Sequence, residues 1–272
     1  MKKILITLLL FPIFICGQNE GELSAAEIAK KLQDPLAHIS AVMTDNDLLF
    51  KTGENDFSFS SSIQPLKAWS IDKANMNFIA RGVIPVVGLA PQAKKPPFAG
   101  NESQTTGVQW GLSDALAQFF FSPKTDQAWK WGIGPMFSLK TRTASSFSGP
   151  GWGTGPVAVL VGGSELFSFA FIGGHLWNFE GNFSTSIFQP MVYYNFPNKP
   201  GMAISYNNQM SYDWQGGKDN EFTIPLGMSF SQTFAMAKGN GLDLGVGPYW
   251  NVVKPEGAAE MTIRLNVAWM FP

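Results

Sequence analysis

Two histidines are the side chains best suited to acid–base chemistry in this sequence. His38 follows a predicted helix, and His175 stands in the stretch Gly-Gly-His-Leu-Trp near the end of a predicted strand. A nucleophilic serine needs an adjacent base that a third group orients. Serines are abundant, but no spacing singles one out. A hydrolase that uses His175 therefore stays a minor alternative to a structural, hydrogen-bonded histidine.

Ligand spacings for metal ions and phosphates are also missing. Cys16 is the only cysteine, and it lies in the segment that we expect to be removed. Asp45-Asn46-Asp47 supplies oxygen ligands without the spacing of a calcium loop, and we expect it to be solvated in a loop. The glycine-rich stretch at 151–155 lacks the Lys-Ser/Thr ending of a phosphate loop. We predict no catalytic residue, no metal site and no cofactor, and hence no enzyme.

The N-terminus has the form of a secretory signal. Lys2 and Lys3 precede an apolar run over residues 4–15. This run is shorter than the about 20 residues of a membrane-spanning helix. Gly17 is the small residue expected before a cleavage site. We predict a signal peptide over residues 1–17.

Composition argues against a soluble domain and against nucleic acid as a partner. Without the two signal lysines, 17 basic side chains face 20 acidic ones, a net charge of −3. Charged residues make up only 14%, and aromatic residues also reach 14%. No later segment resembles a membrane-spanning helix. The other structure that satisfies every backbone group inside a membrane is a closed β-barrel.

A short amphipathic helix is expected in an N-terminal segment over residues 18–36. Ser24 and Glu27 have the spacing of a capping box, and Pro35 ends the helix. We expect this helix to sit outside the barrel wall, near its periplasmic mouth. The barrel itself should span residues 37–272.

From residue 37 onward the apolar residues recur with a period of two. In the last strand Leu265, Val267, Trp269 and Phe271 alternate with more polar residues. Runs of about ten residues with an apolar and a polar face are typical of membrane barrels. The alternative, a soluble β-sandwich, has shorter strands and no terminal aromatic signal.

The pattern predicts an all-β, antiparallel transmembrane β-barrel of about twelve strands. The longest connections, at 87–106 and 141–151, should face outward. The predicted strands are 38–50, 57–66, 74–86, 107–122, 128–140, 152–162, 165–177, 183–196, 201–214, 221–233, 241–250 and 259–271.

Several prolines fall inside these strands. Gly-x-Gly-Pro occurs at 132–135, 153–156 and 245–248, and Pro225 also lies within a strand. Proline removes a donor from the ladder and is typical of edges and bulges. We expect the strands to bend at bulges there.

Charged residues on the polar face should point into the barrel, because a charge that faces lipid is costly. They could line a solute pathway, or they could pair and fill the interior of a structural barrel. These lumen-lining candidates are Arg81, Lys130, Lys140, Asp213, Glu221, Asp243 and Arg264.

Several stretches, taken in order, resemble a known family. They include IAKKLQDPLAHIS at 28–40, SIQPLKAWSIDKANMNFIARGVIPV at 62–86, GLSDALAQFFFSPK at 111–124, and WGIGP at 131–135. WGTGPVAV, HLW, IFQPMVYY, YDW and the ending from 265 follow. The chain resembles outer-membrane barrels related to the meta-pathway phenol-degradation proteins, often labelled transporters or "neuromedin U".

This resemblance implies a barrel in the cell outer membrane that transports small solutes, hydrophobic ones included. It implies outer-membrane lipid and, during assembly, the insertion machinery as partners. It does not identify the solute and supplies no catalytic residues. The alternatives are a structural envelope barrel without transport and an outer-membrane hydrolase.

Overall fold

The computed structural model describes residues 23–52, 55–89, 109–125, 127–147, 149–217 and 219–271. The predicted signal peptide lies outside these residues. The elements are α1 (Ala25–Leu32), β1 (Ser40–Thr52), β2 (Asn55–Ile71), η1 (Asp72–Ala74), β3 (Met76–Leu89), β4 (Gln109–Leu112), β5 (Ala115–Pro123), β6 (Lys130–Leu139), β7 (Gly153–Gly163), β8 (Phe167–Asn178), β9 (Ser184–Asn195), β10 (Met202–Asn207), β11 (Met210–Asp213), β12 (Phe222–Gly227), β13 (Ser229–Ala235), η2 (Ala237–Gly239), β14 (Gly241–Val253) and β15 (Met261–Phe271).

The strands form one antiparallel sheet that closes on itself. β1 pairs with β15 from Ser40↔Phe271 to Phe50↔Met261, so the first and last strands seal the wall. Three strands are interrupted, because β4 with β5, β10 with β11, and β12 with β13 each continue one path along the wall. The result is a closed barrel of twelve strands. The predicted barrel is confirmed, and the β-sandwich alternative is wrong.

Large apolar side chains cover the outward face of the described strands. In β15, Leu265 and Phe271 are 49% and 43% exposed, whereas Ala268 and Met270 on the other face are buried. Strand residues alternate between faces, so the period of two read from the sequence gives this lipid-compatible exterior directly. Tryptophans that include Trp69, Trp129 and Trp177 are exposed close to strand ends.

None of the described helices is long and apolar enough to cross a membrane.

Helix α1 forms as predicted but lies inside the barrel. The Ser24 side chain accepts a hydrogen bond from the Glu27 backbone, and the Glu27 carboxylate accepts one from the Ser24 backbone. These bonds hold the pKa of Glu27 below its usual range. Ile28 is fully buried against Gly241 of β14, where any Cβ would collide with it. The expectation that the helix sits outside the wall is therefore wrong: its apolar face finds its partners on the inner wall.

The prolines affect the wall in two ways. Pro135 and Pro156 face each other in register on β6 and β7, so the bulges expected at these two prolines are wrong. Gly134 and Gly155 precede them and let the Phe119 and His175 carbonyls of the next strands approach closely. A register shift does occur at Ile224/Pro225 in β12, where a bulge was also expected.

Candidate functional site

The interior of the barrel, here called the lumen, has a polar wall and an apolar wall. Alternation in β1 turns Asp45 and Asp47 inward, and alternation in β14 and β15 does the same for Asp243 and Arg264. The opposite wall, from β2 to β9, is largely apolar on its inner face, apart from a polar layer around Arg81. Its buried residues include Leu66, Ile79, Phe120, Met136, Val157, Val159, Ile172 and Met191.

Arg81 forms a hydrogen-bonded layer across the lumen. Its Nη2 donates to Gln64 Oε1 at 2.6 Å, and its Nη1 donates to Gln118 Oε1 at 3.1 Å, both on strands that adjoin β3. Nη1 also reaches Gln189 Oε1 on β9 at 3.5 Å. β9 is not a neighbour of β3 in the sheet, so this contact crosses the lumen. The Arg81 layer therefore narrows the path along the barrel axis.

A second charged group lies on the polar wall. Arg264 Nε and Nη2 donate to the two Asp47 carboxylate oxygens at 2.6 and 2.7 Å, a bidentate pair. The guanidinium lies 5.4 Å from the centre of the Tyr249 ring. Asp45 accepts hydrogen bonds from Gln64 at 2.9 Å and from Asn266 at 2.6 Å. These contacts hold the charges in one arrangement.

The inserted segment, residues 23–37, closes one end of the lumen. The Asp34 carboxylate forms a salt bridge with Lys130 at 2.7 Å, and Gln33 Nε2 donates a hydrogen bond to Asn195 Oδ1 at 2.9 Å. Leu36 joins the apolar lumen wall. Between this segment and the Arg81 layer lies a cavity of about 100 Å³. The segment and the polar wall share it, since Ala29 and Asp243 both line it.

The opposite end opens into a vestibule of about 880 Å³. Its acidic lining residues are Asp114, Asp213, Glu221 and Glu256, and the one basic residue among its described lining is Arg142. Arg142 pairs with the buried Asp114 at 3.3 Å. Among the described residues of the lining, the other three carboxylates have no cationic partner. Grooves of one charge sign concentrate counterions.

The structure distributes the seven lumen-lining candidates along the barrel. Arg81 and Asp243 line the inner cavity, and Asp213 and Glu221 line the vestibule. Arg264 holds Asp47 on the polar wall.

The two lysines stand at the ends of the barrel. Lys130 fixes the inserted segment through Asp34, while Lys140 lies beyond β6, 3.6 Å from Glu180. The role of all seven residues in conduction stays a prediction.

Sequence reasoning missed several residues of the site. Asp45 and Asp47 were expected in a solvated loop, which is wrong because both belong to β1. The two residues are two positions apart in the predicted strand 38–50, and this spacing places both side chains on the same face of that strand. Charge alone did not indicate Gln64, Gln118 and Gln189, because these side chains are neutral, although each lies on the inner face of its strand.

His175 has serine partners that its sequence position did not reveal. Its Nδ1 lies 2.8 Å from Ser186 Oγ and its Nε2 lies 3.1 Å from Ser184 Oγ. Trp214 Nε1 also donates to Ser186 at 3.0 Å. In the described part of the chain both ring nitrogens are held by hydroxyls, and no carboxylate bonds to the ring. A polar cluster between exposed tryptophans on the outer wall fits this geometry better than a catalytic triad.

Solved structures share this architecture. The COG4313 outer membrane channel from Pseudomonas putida F1 aligns with a TM-score of 0.58 and 13% identity over 86% of this chain and 94% of that chain. This chain has the fold of an outer-membrane channel barrel. The predicted likeness to outer-membrane barrels is thereby confirmed at the level of fold.

Other outer-membrane channel barrels align more loosely. The CymD monoaromatic hydrocarbon channel covers 93% of this chain and 98% of that chain, with 9% identity and a TM-score of 0.43. OccK11 from Pseudomonas aeruginosa covers 86% and 96%, with 9% identity and a TM-score of 0.33. No family model and no curated protein matches the sequence.

Proposed function

We propose that this protein is a channel for small solutes in the outer membrane of a bacterial cell. The observation that carries the proposal is the arrangement of two cavities along the lumen, separated by the Arg81 layer and closed at one end by the inserted segment. A predicted signal peptide over residues 1–17 accounts for export. The end that holds the inserted segment would then face the periplasm.

The lining supports transport over a purely structural role. A barrel of about eight strands can be filled by its own side chains, and a twelve-stranded barrel is wider than that. Here the interior keeps a cavity between its walls. It also holds nearly buried carboxylate and guanidinium groups, and burial of such charges costs free energy. An apolar wall that faces a polar wall also suits solutes that carry both kinds of surface. Uptake of small solutes, hydrophobic ones included, is the function that this lining fits best.

The charge of the pathway gives the test of the proposal. The described part of the vestibule lining carries four acidic residues and one basic residue, and the inner groups add Asp45, Asp47 and Asp243 against two arginines. We expect conductance events in planar bilayers with a reversal potential that indicates preference for cations. Replacement of Asp213 by Asn together with Glu221 by Gln should reduce this preference at least about twofold at low salt, where screening is weak.

Glu260→Gln is the matched control for this measurement. Glu260 pairs with Lys51 at 2.9 Å, its side chain is 47% exposed, and it lines neither cavity. Its removal should leave the reversal potential unchanged. A folded protein that never conducts would favour the structural barrel, and anion preference would contradict the assignment of the vestibule.

A further inference from the structure

Three charged side chains line the inner cavity, next to the inserted segment, without a partner of opposite charge. They are Arg81, Asp45 and Asp243. In the described part of the chain no cation lies within salt-bridge distance of either carboxylate, and no carboxylate lies within that distance of Arg81. Charges inside a protein are normally paired, because an unpaired one is costly. A cavity that keeps charges of both signs apart is prepared for a ligand that pairs with them.

The guanidinium of Arg81 keeps hydrogen-bond donors free. Three of its N–H groups donate to neutral amide side chains, which belong to Gln64, Gln118 and Gln189. Its Nε is buried and has no partner among the described residues, and one N–H of Nη2 is left as well. Arg264 holds the Asp47 carboxylate through these same two nitrogens. A carboxylate is therefore the group that the free donors of Arg81 fit.

The two carboxylates of the cavity have only neutral donors around them. Asp45 accepts hydrogen bonds from the amides of Gln64 at 2.9 Å and Asn266 at 2.6 Å. Asp243 accepts one from the Thr233 hydroxyl at 2.6 Å. An ionised carboxylate can accept more hydrogen bonds than these. The positions that remain fit an ammonium group, which brings both N–H donors and the missing positive charge.

The inserted segment does not supply the missing cation. Among the described lining residues of the inner cavity, its one charged side chain is Asp34, which is already paired with Lys130. Lys30 is exposed, and Lys31 does not belong to the lining. The partner for the two carboxylates must therefore come with a solute.

The remaining wall of the cavity is apolar, and the space is small. Met43, Leu66, Ile172 and Met191 line it beside the charged groups. One bound water needs about 10–15 Å³ of such space. The cavity of about 100 Å³ therefore has room for a solute with several non-hydrogen atoms. It brings a positive group, two negative groups and an apolar surface together around one small volume.

We propose that the inner cavity binds small zwitterionic solutes, namely α-amino acids with a short apolar side chain. Arg81 holds the carboxylate of the solute, Asp45 and Asp243 hold its ammonium group, and the apolar wall takes its side chain. The inference rests on the proposed channel function and deepens it by naming the solute class. The bound solute lies on the axial path, next to the segment that closes it.

Three ligands that differ in one charged group test this site. L-Valine carries both groups on a branched apolar body, isovalerate lacks the ammonium group, and isobutylamine lacks the carboxylate. Binding to the purified, detergent-folded mature protein is titrated by saturation-transfer NMR. We expect a Kd of about 1 mM for L-valine, weak enough for release from a channel, and at least about tenfold weaker binding of both analogues.

A charge-removing variant assigns the binding to the cavity. Asp45→Asn/Asp243→Asn replaces both carboxylates by amides of about the same shape. We expect it to lower the affinity for L-valine at least about tenfold, which removal of the ammonium partner explains. Its affinity for isovalerate should not fall, since this ligand has no ammonium group to lose. Glu260→Gln lies outside both cavities and is the control that should leave all three affinities unchanged.

The ligand comparison on the natural sequence keeps the test decisive if the double variant fails to fold. Equal affinities for L-valine and isobutylamine, or for L-valine and isovalerate, would overturn the zwitterion site. Binding of L-valine that does not saturate by about 50 mM would overturn it as well. Planar-bilayer conductance of the same preparation separates the two proposals. Conductance without L-valine binding leaves the channel and removes the site, whereas binding without conductance supports the site and overturns the channel.

Discussion

Replacement of Ile28 by asparagine is expected to open the lumen. Ile28 of helix α1 is fully buried against Gly241. The variant therefore loses apolar burial worth about 1.5–3 kcal/mol and buries an amide that has no hydrogen-bond partner in place. Undocking of the inserted segment should therefore be favoured by about 3 kcal/mol. That corresponds to about a hundredfold rise in the ratio of open to closed channels. Single-channel recording in planar bilayers measures this as open probability.

Lys30→Asn is the matched control, since Lys30 lies on the same helix and is exposed. The same side chain introduced there should leave the open probability near that of the natural sequence. Equal open probabilities for the two variants would contradict the assignment of the helix as the element that closes the lumen.

Loss of Arg264 is expected to give the largest fall in stability. The side chains of Arg264 and Asp47 are only 13% and 16% exposed, so Arg264→Met leaves a nearly buried carboxylate without its bidentate partner. Removal of one partner of a buried pair typically costs about 3–5 kcal/mol. The contact with the Tyr249 ring is lost as well. Urea unfolding in detergent, followed by tryptophan fluorescence, measures the change.

Two comparisons isolate the buried charge. In the double variant Asp47→Leu/Arg264→Met both charges are gone, and most of the lost stability should return. Lys51→Met breaks an exposed pair with Glu260 and should cost less than about 1 kcal/mol. A double variant as unstable as Arg264→Met would show that the cause is packing and not the unpaired carboxylate.

The barrel was predictable because its signal is local. Each strand carries its own alternation, as Leu265, Val267, Trp269 and Phe271 do in β15, and a lipid-facing wall demands that pattern of every strand. The capping box at Ser24 and Glu27 was local as well. Strand number and closure followed from the repetition of these signals along the chain.

The site was less predictable because it depends on contacts distant in sequence. Nothing near Ile28 indicates that Gly241 leaves space for it on the inner wall. The link from Arg81 to Gln189 depends on barrel width, which single strands do not encode. The interruption of the ladder between β10–β11 and β12–β13 was hidden for the same reason, since these elements look like two ordinary alternating strands and only their pairing shows it.

A reversible cross-link of the inserted segment to the wall tests whether this segment must leave the lumen for the channel to conduct. A Cβ placed on Gly241 lies 3.4 Å from Ile28 Cβ, close to the separation in a disulfide, so Ile28→Cys/Gly241→Cys can join helix to wall. The measurement is planar-bilayer conductance of this variant before and after reduction. We expect few or no open events in the oxidised protein and their return after reduction, with the single-cysteine variants insensitive to reductant. Equal conductance in the two states, with the cross-link verified on a gel, would contradict it.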